Sequence, residues 1–310
     1  MTAAQKLLSD VIAKNSRAIG KAITIIENES ELCDSLLSEL DEQELPEYLV
    51  LGITGNPGAG KSTLTDKLIA HYRKQGNRIG IIAIDPTSPI SGGAILGDRI
   101  RMMKHSTDND VVIRSMATRG RLGGLCSCAG ATVRIMAASG CNPIIIETVG
   151  VGQSEIDIVS LADISLLVSA PGLGDDIQAM KAGLLEVADL LVINKSDLQG
   201  ATALYRDLQL LAHEKGREIS KTVASTGEGV KELVDNITKL HQEYLQAGTI
   251  LQKRLHSQKK EIIDWAVEMF REQLQTRIDE QQLSNRDPRL QAKEIFSKYL
   301  KDAPARVAER

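Results

Sequence analysis

Short apolar runs recur along the chain at spacings that leave room for a helix between them. Tyr48–Thr54, Arg78–Ile84, Asp110–Arg114, Pro143–Ile146, Ile164–Ser169 and Leu190–Ile193 each read as a short buried strand. Runs that are apolar at nearly every position suit strands covered on both faces. Helical spacing appears between them: Leu64, Leu68, Ile69 and Tyr72 follow the first run, and Val230–Leu245 is amphipathic. This alternation predicts an α/β fold with a mostly parallel, doubly wound sheet. Residues 1–46 form a helical preface, with Leu7, Leu8, Val11 and Ile12, then Ile19, Ile23 and Ile26, then Leu32, Leu36, Leu37 and Leu40 at helical spacing, ended by Pro46. The sheet-forming domain spans 47–247. In 248–310, Leu251, Leu255, Ile262, Ala266, Phe270, Leu274 and Ile278 mark one side of a long helix, interrupted around Gln258-Lys259. Asp287-Pro288 opens a last helix by the N-cap and N1 rule. Such an arm is a packed appendage or a dimerisation element. Dimerisation is the expectation, because its apolar stripe needs a surface to cover it.

Composition narrows the partners. The 310 residues carry 37 Lys+Arg against 41 Asp+Glu, a formal charge of −4, and aromatics are 3%. Neither nucleic acid nor an anionic membrane has an electrostatic claim on such a chain. No apolar run approaches the roughly 20 residues that cross a bilayer. The N-terminus, with Lys6 and Asp10, is unlike a secretion signal. Cys33, Cys126, Cys128 and Cys141 are few and unevenly spaced, which suits a reduced, cytoplasmic protein better than a disulfide framework.

The chemistry begins where the first strand ends. Gly55-Asn56-Pro57-Gly58-Ala59-Gly60-Lys61-Ser62-Thr63 matches G-x-x-x-x-G-K-[ST], preceded by a strand and followed by a helix. Its glycines let backbone N–H groups close on phosphate oxygens, and the helix dipole favours the same charge. Lys61 is expected on the β- and γ-phosphates and Ser62 on Mg²⁺. Acids closing later strands are expected beside the phosphates. Asp85 and Asp98 are candidates for the metal or the attacking water, against readings as a turn before Pro86 and a helix N-cap. Glu147 closes the most apolar strand, with Gly150 three positions on. That arrangement puts Glu147 by the metal and the Gly150 amide on the γ-phosphate. Val151 stands where a water-orienting glutamine is common in small GTPases, so intrinsic hydrolysis is expected to be slow. Lys181 and Arg119 are the mobile basic candidates to complete the site. Lys181 is preferred, on the expectation that its loop leaves a strand beside the one bearing Glu147.

Asn194-Lys195-Ser196-Asp197 closes another buried strand. A carboxylate at Asp197 accepts from both N1–H and the exocyclic amine of guanine, a donor pair that adenine lacks. Asn194 is expected to hold the loops together and Lys195 to cover the base. Ala224, Ser225 and Thr226 suit the last base-contacting loop, though in Ala-Ser rather than the more usual Ser-Ala order. Cys126 and Cys128 supply two metal ligands at most, with no His near them in sequence, so small buried hydrophobes are the simpler reading.

Together these motifs closely resemble the MeaB/ArgK family, the methylmalonyl-CoA mutase-associated GTPases of the SIMIBI class of P-loop G proteins. The resemblance runs from about Leu51 to Gly229. It rests on Gly55 to Thr63, Asp85-Pro86-Thr87-Ser88, Gly92 to Arg99, Met116 to Leu125, Glu147 to Glu155, Gly172 to Gln178 and Asn194 to Asp197. It implies a homodimer binding GTP or GDP with Mg²⁺, which chaperones an adenosylcobalamin-dependent acyl-CoA mutase by gating cofactor delivery and protecting it. An adenosyltransferase is a further candidate partner. The resemblance also implies that Asp98 and Glu147 serve metal binding or hydrolysis, and that Pro171 to Lys181 reports nucleotide state. Two other classes compete. A nickel-inserting GTPase metallochaperone is disfavoured by only five His and no Cys/His-rich tract. A small-molecule kinase is disfavoured by the guanine-reading tetrapeptide.

Overall fold

A computed structural model describes residues 1–85, 105, 107–117, 128–148, 154–172, 184–213, 217–279 and 287–302. The apolar runs become parallel strands β1 (Val50–Gly55), β2 (Ile79–Asp85), β3 (Val111–Ala117), β4 (Ile144–Thr148), β5 (Ile164–Ser169) and β6 (Leu190–Ile193). A short seventh, β7 (Ile219–Lys221), had no apolar run to announce it. They form one seven-stranded sheet in the order β3-β2-β4-β1-β5-β6-β7. β1 is central, with Leu51 level with Ile145 of β4 and with Ile164 of β5. The chain winds outward from it in both directions, so the phosphate-binding turn leaves the sheet at its switch point. One expectation is corrected here. β5, which leads toward Lys181, does not neighbour β4 with Glu147; β1 lies between them. In a doubly wound sheet the strands of the two halves meet only across the first strand.

Helices cover both faces. On one face, α4 (Lys61–Lys74) and α9 (Val230–Gln246) bury Leu64, Leu68, Ile69, Leu233 and Ile237 against Leu51, Ile53, Ile81, Ile145 and Leu166. The preface supplies α1 (Ala3–Ile12), α2 (Ser16–Glu27) and α3 (Cys33–Asp41). Thr2 and Gln5 close a capping box on α1, and the Asn15 side chain accepts from the Arg17 and Ala18 N–H groups at the start of α2. These helices pack on α5 (Ala129–Ala138), which also lies against the sheet. Covered from two sides, α5 is apolar nearly all round, with Ala131, Val133, Ile135, Met136 and Ala137 buried. Helices α6 (Ser154–Leu161), α7 (Leu184–Val187) and α8 (Ala201–His213) complete the layers. Leu184, Leu185, Leu204 and Leu208 form a second cluster with Leu167, Leu191 and Ile193.

Helix α10 (Thr249–Asp279) is continuous through Gln258-Lys259, and α11 (Pro288–Asp302) follows. The chain divides into two compact units, Met1–Glu261 and Ile262–Arg310. In the second unit Phe270 meets Phe296 edge to face at 5.8 Å. Ile262, Ile263, Val267, Met269 and Leu290 are exposed there. In the first unit, α10 is rooted by charge. Asp163, buried at the amino end of β5, accepts from Arg254 Nε and Nη2 and from the Val50 N–H, each at 2.8 Å. Arg254 also donates to the Tyr48 carbonyl and lies 4.2 Å over the Tyr48 ring. Asp189, at the amino end of β6, accepts from Lys253, Tyr244 and Ser165. Among the described residues no helix is long and apolar enough to cross a membrane.

Two stability predictions follow from this root. Asp163→Ala leaves the Arg254 guanidinium and the Val50 N–H without their shared buried acceptor, and should cost about 3–5 kcal/mol in urea unfolding; a loss under 1 kcal/mol would show that solvent replaces the carboxylate. His241, on α9, buries its Nε2 without a hydrogen-bond partner. Burial, reinforced by Arg254, holds its pKa below the ordinary value, against the pull of Asp163 and Glu47. The unfolded chain therefore takes up this proton first. The stabilisation is fully present above about pH 6.5 and is lost as pH falls through the unfolded and then the folded pKa. His241→Leu should flatten the decline in melting temperature on acidification across that window, and an unchanged decline would assign it to other groups.

Candidate functional site

The turn after β1 is built for close approach. Gly60 has φ +89°, and a Cβ there would lie 2.4 Å from Asn194 Nδ2, so both its backbone conformation and its neighbour require glycine. Helix α4 starts at Lys61. The largely buried Lys61 ammonium donates to the Gly55 carbonyl and, at 3.2 Å, to that of Asn56. Ser62 and Thr63 occupy the first turn, Ser62 half-buried and Thr63 exposed, while Pro57 and Gly58 are exposed and Ala59 is buried. Positive charge and helix N-terminal N–H groups thus converge on one spot at the sheet's carboxyl edge.

Glu147 stands one strand away on β4 and is fully buried. Its Oε1 accepts from Ser62 Oγ at 2.6 Å. A hydroxyl and a carboxylate held together beside a phosphate cradle form an oxygen-only donor set. That set fits a hard divalent cation such as Mg²⁺, whose remaining positions are usually filled by water and phosphate.

The third component comes from β6. Asn194, 1% exposed, donates from Nδ2 to the Ala59 carbonyl at 2.9 Å and more weakly to that of Gly60 at 3.5 Å. Its Oδ1 accepts from the Ala224 N–H at 3.0 Å and Thr222 Oγ1 at 3.2 Å. Lys195 follows with φ +54°, an uncommon conformation for a side-chain-bearing residue. Its ammonium reaches across to the Gly58 carbonyl at 2.7 Å. The Ser196 N–H donates to the Thr222 carbonyl. Asp197, Ser225 and Thr226 stand exposed at the rim. Three sequence-distant stretches, 55–63, 194–197 and 222–226, are therefore one place in the fold.

Several candidates are not located. Asp98, Gly150, Lys181, Arg119 and Cys126 lie outside the described residues, and Asp85 is described only as the end of β2. Cys128 is buried at the start of α5. The motif reading passed over the rooting acids Asp163 and Asp189. Their signal is a repeated phrase, Ala162-Asp163-Ile164 and Ala188-Asp189-Leu190, an acid placed just before each buried strand.

With this geometry established, comparison with known proteins identifies the lineage. Residues 19–282 match the family model described as methylmalonyl Co-A mutase-associated GTPase MeaB. A GTPase-named protein of Pyrococcus abyssi is 51% identical over 256 residues, covering 79% of this chain and 78% of that one. The mitochondrial methylmalonic aciduria type A homolog of Mus musculus is 34% identical over 267 residues, covering 78% of this chain and 64% of that one. The crystal structure of a LAO/AO transport system kinase shares the fold, with a TM-score of 0.66 at 22% identity over 96% of this chain and 97% of that one. The chain belongs to the MeaB family of methylmalonyl-CoA mutase-associated GTPases.

Proposed function

We propose that this GTPase is the nucleotide-driven chaperone of an adenosylcobalamin-dependent acyl-CoA mutase, of the type that the family description names. The observation that carries the nucleotide half is the Asn194 side chain, which locks the phosphate-binding turn to the base-reading loop. In this reading Asp197 accepts from guanine's N1–H and exocyclic amine, Lys195 covers the base, and Ala224, Ser225 and Thr226 close its far side. The backbone N–H groups of Asn56 to Thr63 bind the phosphates. Lys61 turns from the carbonyls of Gly55 and Asn56 toward the β- and γ-phosphates, exchanging neutral acceptors for charged ones.

Ser62 and Glu147 would hold Mg²⁺, with Asp85 and Asp98 as further oxygen donors; bound there, the metal neutralises charge growing on the phosphate oxygens. Water attacks the γ-phosphorus as its bond to the β–γ bridging oxygen breaks, releasing GDP and inorganic phosphate. Glu147, buried and accepting from Ser62, orients groups around that metal. Gly150 would contact the γ-phosphate, and Lys181 would supply the missing positive charge. The 262–310 unit would form a homodimer through its exposed apolar residues.

Nucleotide choice tests the base-reading assignment. GTP and GDP should bind well and ATP poorly, since a carboxylate left facing adenine loses roughly 1–3 kcal/mol. Asp197→Asn should shift preference toward xanthine nucleotides in calorimetric titration. Equal affinity of the wild type for ATP and GTP would remove Asp197 from base recognition.

The partner is tested by capture. Purified methylmalonyl-CoA mutase should co-elute with this protein, with retention that differs between a non-hydrolysable GTP analogue and GDP, and should raise GTP turnover. Nucleotide binding with no mutase association in either state would leave the GTPase standing and discard the mutase role.

A further inference from the structure

Within the first unit, the start of helix α10 is held at two separate places. Its root is fixed by Lys253 and Arg254 to Asp189 and Asp163, at the amino ends of β6 and β5. About two turns later, Glu261 lays its carboxylate against the first turn of α5. A Cβ built on Gly130 would lie 2.4 Å from Glu261 Oε2, 2.9 Å from Cδ and 3.0 Å from Oε1. With glycine at 130 the carboxylate rests against the helix backbone, and a side chain there would displace it. The start of α5 also suits it electrostatically, because the helix N-terminus is positive and no side chain of the N-cap residue Cys128 caps it.

The two contacts differ in what they are joined to. The root sits on buried acids at the strands' amino ends, away from the phosphate-binding turn. Helix α5, by contrast, is entered from β3, whose last residue Ala117 pairs level with Asp85 at the carboxyl edge. Residues 118–127, with Gly120, Gly123 and Gly124, are all that separates Ala117 from Cys128. One helix thus spans a fixed point and the start of an element fed directly from the nucleotide side.

We propose that the Glu261–Gly130 contact couples the arm to the nucleotide: its strength differs between the GTP and GDP states, and α10 carries that difference outward. This inference rests on the GTPase reading and names how the same site would be regulated. Glu261 acts as a positioning residue and touches no phosphate.

Two linked measurements test it. Trp265 is the only tryptophan of the chain and lies one turn beyond Glu261 on the same helix, a built-in reporter. In the full-length protein its emission should change when a non-hydrolysable GTP analogue replaces GDP. In Glu261→Gln, which keeps size and loses charge, that change should shrink. Because coupling is reciprocal, the ratio of GTP-analogue to GDP affinity should shift at least about fivefold in the same variant. Gly130→Ala, which fills the carboxylate's place, should shift the ratio in the same direction. Should Gly130→Ala fail to fold, the half-exposed Glu261→Gln decides alone. A ratio and a Trp265 response unchanged from wild type in Glu261→Gln overturn the inference. Failure of the wild type to bind guanine nucleotide at all would instead sink the functional reading beneath it.

Discussion

A single neutral amide holds the nucleotide site in register. Asn194 has two N–H donors and one oxygen with two acceptor positions, and all four are used: Ala59 and Gly60 carbonyls on one side, the Ala224 N–H and the Thr222 hydroxyl on the other. Aspartate would turn an acceptor toward two carbonyl oxygens, and serine would reach only one partner. Burial raises the stake, since each abandoned group would be left unpaired away from water. The same amide explains a constraint far away in sequence. Gly60 cannot carry a side chain because Asn194 already stands where the Cβ would go. The turn after β1 and the loops at 194–197 and 222–226 thus meet in one packing contact.

That contact sits at one end of the sheet, and a different kind of chemistry occupies the other. The carboxyl ends present backbone N–H groups, one buried lysine and one buried glutamate, arranged for an anion and a hard cation. The amino ends present Asp163 and Asp189, each accepting from several protein donors. Strands of a parallel sheet are covered on both faces and stiff, so their ends divide the labour. The candidate site lies at one edge and the fixed attachment of α10 at the other.

How much of this the sequence carried follows from which forces act locally. Strands β1, β2, β4, β5 and β6 were legible because burial on both faces demands unbroken apolar runs, and β3, at the sheet's edge with Arg114 and Ser115 half-buried, through its apolar start at Val111 to Ile113. Gly55 to Thr63 and Asn194 to Asp197 were legible as strand-ending turns, because each closes an unbroken apolar run. β7 was not, because Ile219–Lys221 pairs at the sheet's edge, where one buried residue suffices. The adjacency of β4 and β5 was misjudged because strand order depends on crossovers that no single run encodes. The break expected near Gln258-Lys259 is absent because straight-chain polar residues are good helix formers, and an apolar gap is no helix stop. Gly130, between Ala129 and Ala131, carries no sequence signal of its contact. Its meaning lies with Glu261, 131 positions later, and only folding joins them.

The 262–310 unit poses the remaining physical problem. Its described residues are the distal half of α10 and α11, where Phe270 and Phe296 meet edge to face. Two helices of this length cannot bury enough apolar surface to offset the entropy of ordering them; below roughly 70–80 residues a lone core needs staples or a partner. Ile262, Ile263, Val267 and Met269, all at least half exposed, spread over too wide an arc for a narrow coiled-coil seam. A second copy of the same unit presents the same broad apolar face, and an isologous pairing of such faces closes on itself. Stability of the arm would then depend on assembly. The charged root at Asp163 and Asp189 secures the helix to the sheet without drawing on that exposed apolar surface.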